Sequence, residues 1–318
     1  MDCYLGFDVG SVSTNLVVIT EDDQVVERLY IRTKGQPIKT IKSGLEYMRE
    51  NLDSSIDIKA AGTTGSARNL TGVIIGANVI KNEITAHAVA VSREVPNAQT
   101  ILEIGGQDSK IILLRNGIVT DFAINTVCAA GTGSFLDQQA SRLGIPIEEF
   151  GDLALQSENP VRIAGRCSVF AESDMIHKQQ LGHNLEDIVA GLCEALVRNY
   201  LNNVGKGKDI LEPIVFQGGV AANKGIHAAF KKALAKDVII PTEFSVMGAI
   251  GAAHLAKNNY LQTGISKFKG WDMADQNFVA RSFECKGCPN LCEVINIYQD
   301  DNLIARWGGR CGKWEHAC

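Results

Sequence analysis

Apolar and polar residues fall in short blocks along the chain, and the blocks recur. Tyr4-Leu5-Gly6-Phe7 runs into Asp8-Val9-Gly10-Ser11, and the β-branched stretch 15–20 follows, which predicts strand, tight turn, strand. Ile41, Leu45, Met48 and Leu52 have helical spacing and predict a helix over 39–51. A short strand over 56–61 ends in Gly62-Thr63-Thr64-Gly65, and 82–93 reads as a helix. The pattern then begins again. A strand over 100–104 meets Gly105-Gly106-Gln107-Asp108, a second covers 110–114, and Asn116-Gly117 turns the chain into a third through Phe122 and Ala123. This duplication predicts two similar lobes, and the lack of a short repeat excludes a solenoid.

Helices follow over 131–143, 168–181 and 185–204, the last with Ile188, Leu192, Leu196 and Tyr200 on one face. The charged residues between Glu148 and Glu158 read as a solvated helix face. A buried strand over 214–217 enters Gly218-Gly219-Val220, and an Ala/Gly-rich helix covers 246–255. Periodicity fades between 263 and 281, and a β-like run returns at 294–298. The expected division is lobe I over 1–93, completed by a helix over 246–262, lobe II over 94–245, and a Cys-rich extension over 263–318.

Composition narrows the class. With 318 residues, 45% of them hydrophobic and 21% charged, the chain can bury a real core and is not disordered. Its net charge of −5 leaves no footprint for nucleic acid. The longest uncharged apolar stretch, 70–80, falls far short of the roughly 20 residues that span a bilayer. No basic region precedes an apolar run at the N-terminus, so a cytoplasmic location is expected. Nine cysteines are the odd entry: Cys285, Cys288, Cys292, Cys311 and Cys318 crowd the end, while Cys3, Cys128, Cys167 and Cys193 are scattered. In a reducing compartment that usage points to metal or redox work.

Three glycine turns carry the next step. Each alone is most simply a tight turn, but together they suggest a phosphate cradle. Asp8-Val9-Gly10-Ser11-Val12-Ser13-Thr14 offers backbone N–H groups, hydroxyls and a carboxylate for a hydrated metal. Glu103-Ile104-Gly105-Gly106-Gln107-Asp108 repeats the design, and Gly218-Gly219-Val220-Ala221 can lie flat beside a nucleoside. Neither the lysine-bearing P-loop nor the spaced dinucleotide fingerprint is present. These turns, their order, and the closing Val246-Met247-Gly248-Ala249-Ile250-Gly251-Ala252-Ala253 resemble the actin, sugar kinase and heat-shock chaperone ATPase superfamily.

Within it, Gly105-Gly106-Gln107-Asp108-Ser109-Lys110, the segment Asn125-Thr126-Val127-Cys128-Ala129-Ala130-Gly131-Thr132-Gly133, and Gly165-Arg166-Cys167 resemble one branch. It comprises 2-hydroxyacyl-CoA dehydratase activators, ATPase subunits of benzoyl-CoA reductases and reductases of double-cubane cluster proteins. Thr63-Thr64-Gly65 and Glu83-Ile84-Thr85-Ala86-His87 fit it, while Asn15 and Glu103 replace a common Lys and Asp. The resemblance covers about 4–257. It implies an α/β fold in which two ribonuclease-H-like lobes clasp magnesium–ATP, here with a small Cys-rich C-terminal extension.

Cys128 precedes small residues, and Cys167 precedes a helix whose N-terminal N–H groups favour an anionic ligand. A lone cysteine before an apolar helix is otherwise a small buried hydrophobe. Two thiolates make half of a four-iron four-sulfur site, and a twofold dimer supplies the other half. The resemblance implies such a cluster shared across a homodimer. In the tail, Cys285-x-x-Cys288-x-x-x-Cys292 and Cys311 have ligand-like spacing for zinc, iron–sulfur, or neither. Cys3, Cys193 and Cys318 read as bystanders, with Cys193 in a core. His87, His177 and His183 read as packed or solvated, and Trp271, Trp307 and Trp314 as anchors of the tail.

The expected activity is therefore an ATPase coupled to electron transfer. Ferredoxin or flavodoxin would supply electrons, and a partner iron–sulfur enzyme would accept them. Asp8 and Asp108 would organise magnesium, Gln107 the attacking water by analogy with other water-orienting glutamines. Gly10, Ser11, Ser13, Thr14, Gly105 and Gly106 would hold phosphate, and Gly218, Gly219 and Val220 the nucleoside. A small-molecule kinase or a zinc-binding ATP sensor on the same fold are the alternatives.

Overall fold

A computed structural model describes residues 1–125 and 127–314. Thr126, within the Cys128 segment, and Cys318, read as a bystander, lie outside the described residues.

The chain opens with β1 (Asp2–Val9), β2 (Ser13–Thr20) and β3 (Val25–Arg32), then α1 (Pro37–Asn51), β4 (Asp57–Thr64), α2 (Arg68–Ile75) and β5 (Val79–Ile80). The first helix starts two residues before the expected position 39 because Pro37 presets φ at its first turn. The apolar run 70–80 is one stretch in sequence but two elements in space. Gly76 adopts left-handed backbone (φ 69°) after α2 and lets the chain return as β5. Strand β3, with no continuous apolar run, alternates half-buried and exposed residues, as an edge strand does.

Next come α3 (Glu83–Glu94), β6 (Thr100–Ile104), β7 (Ser109–Arg115), β8 (Ile118–Asn125), α4 (Gly133–Leu143), α5 (Ile147–Leu155), α6 (Ser168–Gln180), α7 (Leu185–Asn203), β9 (Ile214–Gln217) and α8 (Lys224–Leu234). The chain closes with α9 (Met247–Thr263) and the strands β10 (Phe278–Glu284), β11 (Glu293–Gln299) and β12 (Asn302–Trp307). Among the described residues no helix is long and apolar enough to cross a membrane.

Two compact units result: Met1–Asn82 with the chain from Gly248 on, and Glu83–Met247. Their sheets repeat one plan. The first runs β3-β2-β1-β4-β5 and the second β8-β7-β6-β9, with β1/β4 and β6/β9 parallel and the hairpin partners antiparallel. A parallel bridge between Val215 and Ile239 extends the second sheet where β5 extends the first. The duplicated strand–turn–strand pattern is thus a duplicated sheet.

Each unit has its own core. In the second, Leu102, Ile104, Phe135, Phe150, Leu192, Leu196 and Phe216 pack together, and Cys193 lies among them at 1% exposure. In the first, α9 lies directly on the sheet. A Cβ on Gly6 would fall 1.9 Å from the Ala249 carbonyl, and one on Gly62 2.1 Å from that of Ala252. Only glycine permits that approach.

Two boundaries differ from expectation. Helix α3 packs against β7 and β8 of the second unit, not in lobe I. The tail belongs to the first unit because Ala274 and Phe278 enter its core beside Ile41, Leu45 and Met48. Lys42 donates to the Gln276 carbonyl (2.8 Å), and Arg49 pairs with Asp275 (2.7 Å), so α1 holds the tail.

Candidate functional site: two turns, a cysteine pair and a tail

In the first unit the turn between β1 and β2 is closed by Gly10 N–H to the Ser13 carbonyl at 2.9 Å. Gly10 and Ser13 are half-buried and Ser11 is exposed, so this turn faces solvent. Asp8 emerges from the end of β1 and is tightly walled. A Cβ on Gly248 would lie 2.2 Å from Asp8 Oδ2, and one on Gly65 2.6 Å from Oδ1. Thr63-Thr64-Gly65 and the start of α9 therefore fix this carboxylate. Thr14 departs from its expected role. It is fully buried, and its hydroxyl meets Thr33 Oγ1 at 3.0 Å, while Thr33 also donates to the Gly10 carbonyl at 2.9 Å. Thr14 braces the turn from beneath.

In the second unit Gly105 N–H reaches the Asp108 carbonyl at 3.0 Å. Gln107 is exposed and Asp108 half-buried. Beneath them Lys110 Nζ lies 3.1 Å from Glu103 Oε2 and 2.8 Å from Asp108 Oδ2. Burial disfavours the ammonium, but the two carboxylates outweigh it and raise the Lys110 pKa. The Gly218-Gly219 turn sits beside this one at the carboxyl ends of β6 and β9, the usual ligand edge of such sheets. A Cβ on Gly218 would meet the Ile104 carbonyl at 2.4 Å. Gly219 is exposed, whereas Val220, expected at the nucleoside, is 7% exposed and packs into the core. Behind the turn, His87 Nδ1 lies 2.8 Å from Gln217 Nε2. Burial, helped by Lys110, lowers the His87 pKa to about 3, so His87 is a neutral packing group.

Cys128 and Cys167 are both partly exposed and unpaired by disulfide. Cys167 is the N-cap of α6, and its carbonyl takes the Ala171 N–H at 2.9 Å. Cys128 is held at both ends of its peptide by Asn125, which accepts from Cys128 N (3.0 Å) and donates to its carbonyl (2.9 Å). The two segments meet. Cys128 Sγ lies 4.0 Å from the Arg166 carbonyl, directly before Cys167. Asn199, on α7 and 2% exposed, donates to the Gly165 carbonyl at 2.6 Å and reaches Cys128 Sγ at 3.9 Å. Its neighbour Arg198 donates to the Ile163 carbonyl at 2.6 Å.

The cysteine segment also touches the Gly105-Gly106 turn. Gly133 N–H donates to the Gly105 carbonyl, and Ser134 N–H to that of Gly106, both at 2.9 Å. Ser134 Oγ adds a 2.6 Å bond to the same Gly106 carbonyl. On the far side, Tyr200 OH donates to the Lys110 carbonyl at 2.6 Å. Ser134 and Asn199 escaped the sequence reading, and Tyr200 entered it only as part of an apolar helix face. Asn125 lay in a quoted motif, whereas Asn199's partners are 34 and 71 residues away.

In the tail, Cys285 is buried, Cys292 half-buried, and Cys288 and Cys311 exposed. Among the described residues no three His, Cys, Asp or Glu side chains stand together as a metal site.

Known proteins resemble this chain in sequence and in fold. Residues 5–256 match the BadF/BadG/BcrA/BcrD ATPase family. The (R)-2-hydroxyglutaryl-CoA dehydratase activating ATPase of Acidaminococcus fermentans is 34% identical over 257 residues, covering 78% of this chain and 95% of that protein. The 2-hydroxyisocaproyl-CoA dehydratase activator of Clostridioides difficile is 32% identical over 260 residues, covering 78% and 92%. The solved structure of the Clostridium difficile activator of that dehydratase, with bound ADPNP, superposes with a TM-score of 0.74 at 32% identity. It covers 82% of this chain and 97% of that one.

Proposed function

The chain belongs to the BadF/BadG/BcrA/BcrD ATPase family, and on that premise we propose that it is an ATP-driven activator passing low-potential electrons to a partner iron–sulfur enzyme. The likeness to dehydratase activators supports a 2-hydroxyacyl-CoA dehydratase as that partner.

Magnesium–ATP is the driving ligand. Gly10, Ser11 and Ser13 of the first unit and Gly105 and Gly106 of the second offer backbone N–H groups and hydroxyls to phosphate. Each unit brings its own carboxylate for a hydrated magnesium, Asp8 in the first and Asp108 in the second, which would supply charge neutralisation to phosphate. Gln107, exposed at the tip of its turn, orients the attacking water. Gly218 and Gly219 lie against the nucleoside.

Cys128 and Cys167 fit half of a four-thiolate site: both are accessible, both unpaired, and their segments are joined by one side chain. A second copy of the chain supplies the other half. The apolar surface around the pair, with Val127 at 96%, Val169 at 66% and Phe170 at 65% exposure, suits coverage by that copy. Bound there, a four-iron four-sulfur cluster supplies a one-electron carrier, filled by ferredoxin or flavodoxin. Asn199 donates towards the Cys128 sulfur at 3.9 Å and so fixes where that thiol stands relative to the Gly165–Cys167 segment. Ser134 and Gly133 tie that segment to the phosphate turn, so a nucleotide-induced shift at Gly105-Gly106 reaches Cys128 through backbone hydrogen bonds.

The observation that carries this reading is the Asn199 link between the two cysteine segments. Anaerobic purification tests it. A brown dimer with about four irons and four acid-labile sulfides is expected, and Cys128→Ala or Cys167→Ala should bleach it while nucleotide still binds. A monomer alone, or full iron in Cys128→Ala, overturns the reading.

A further inference from the structure

We propose that the tail binds one zinc-class divalent ion through Cys285, Cys288, Cys292 and Cys311, a structural site independent of the cysteines at 128 and 167. The family match ends at residue 256 and leaves this segment unassigned.

The sheet sets Cys285 and Cys292 opposite each other, while Cys288 and Cys311 lie in the adjoining segments and no three of the four thiols stand together before an ion gathers them. Strands β10, β11 and β12 are antiparallel neighbours in that order, so the end of β10, the start of β11 and the end of β12 lie side by side. The ladder pairs Glu284 with Glu293, and the next step places Cys285 opposite Cys292, sealed by Cys285 N–H to the Cys292 carbonyl at 2.8 Å. Directly opposed residues share a face, with Cβ atoms about 4.5–5.5 Å apart. Thiolates on one tetrahedral ion, each about 2.3 Å from it, stand about 4 Å from one another. A single ion therefore bridges this pair without moving a strand.

The other two thiols come from the adjoining turns. Cys288 lies in the connection from β10 to β11, where Leu291 N–H bonds back to its carbonyl at 3.3 Å. Cys311 follows β12, whose Trp307 pairs with Ile295 of β11. The chain beyond Cys311 then folds back, since Trp314 Nε1 donates to Cys285 Sγ at 3.2 Å and its ring meets Phe283 at 5.1 Å. Trp314 thus gives one sulfur of the pair an outer N–H donor, the kind of hydrogen bond that orients a metal ligand. Cys288 and Cys311 are exposed, and the ion draws them inward onto Cys285 and Cys292.

The sheet also needs a fastener. Of its three strands, the buried apolar side chains among the described residues are Phe278, Val294 and Ile297. Of these, Phe278 packs into the core of the first unit, which leaves Val294 and Ile297 to hold the rest of the sheet.

The test uses the full-length chain. Metal analysis after dialysis should find about one zinc per chain, abolished in Cys292→Ser and in Cys311→Ser but retained in Cys193→Ser. The Cys128→Ser/Cys167→Ser double variant should keep its zinc while losing iron, which separates this site from the one proposed above. Should the tail variants misfold, cobalt added to the zinc-stripped wild-type chain gives a second readout, expected as thiolate-to-cobalt charge transfer with tetrahedral d–d bands. Absence of stoichiometric metal, a Cys285–Cys292 disulfide, or iron with sulfide bound in the double variant overturns the proposal.

Discussion

Lys110 is 4% exposed, and its ammonium lies between Glu103 and Asp108 at 3.1 and 2.8 Å. Removing the cation leaves two carboxylates facing each other in a site that screens them poorly. Lys110→Met is therefore expected to lower unfolding free energy by about 3–5 kcal/mol, read by urea denaturation. Adding Glu103→Gln should recover part of that loss, and a double variant no better than the single would refute the pairing. His87 poses the opposite problem, a base kept neutral by burial and by the Lys110 charge. Its pKa falls from 6.5 to about 3 on folding. Between those values the unfolded chain binds a proton that the folded chain does not, so stability is present above pH 6.5 and declines as pH falls through the window. At pH 5 the wild type should have lost about 2 kcal/mol on this account, and His87→Gln should lose correspondingly less between pH 7 and pH 5. Equal losses in both proteins would show that His87 charges without penalty.

At the scale of elements, α9 is held by contacts in which backbone meets backbone. Gly62→Ala places a methyl 2.1 Å from the Ala252 carbonyl, so α9 must lift from β4; a loss of about 1–3 kcal/mol is expected, visible as an earlier thermal midpoint. The start of α9 also bears on the role proposed for Asp8. Gly248→Ala directs its methyl at Asp8 Oδ2, 2.2 Å away, and should reduce ATP turnover at least tenfold with a smaller effect on stability. Unchanged turnover would remove Asp8 from the magnesium site. These elements were unequally legible in the sequence. The hairpins around Asp8 and Asp108 were plain because apolar, β-branched runs flank glycine turns. The run 70–80 concealed two elements because α2 and β5 are both apolar and only Gly76-Ala77-Asn78 separates them. Strand β3 was invisible because its outer face is solvated and charged.

For the whole molecule, the informative feature is how labour divides between the two units. Glycine turns and cysteines are local in sequence and could be read there. The division was not, because α3 and the tail join their units through contacts with distant segments: α3 with β7 and β8, Phe278 with the core beneath α1. Asn199 and Tyr200 likewise act on residues far along the chain, and no local pattern marks those contacts. In the structure Asp8 lies in the first unit, whereas Cys128, Cys167 and the Gly105–Asp108 turn all lie in the second. Iron binding should therefore survive any change confined to the first unit. Asp8→Asn is expected to abolish ATP turnover yet leave iron content, dimer formation and the visible spectrum intact. Ser134→Ala, in the second unit, should do something different. It removes the 2.6 Å bond to the Gly106 carbonyl while the two backbone bonds remain. Iron content and basal turnover should persist, but the difference in iron chelation rate with and without ATP should shrink severalfold. If Ser134→Ala keeps the full nucleotide dependence, the signal does not pass from Gly106 into α4, and the route through Tyr200, Asn199 and α7 becomes the contact to break next.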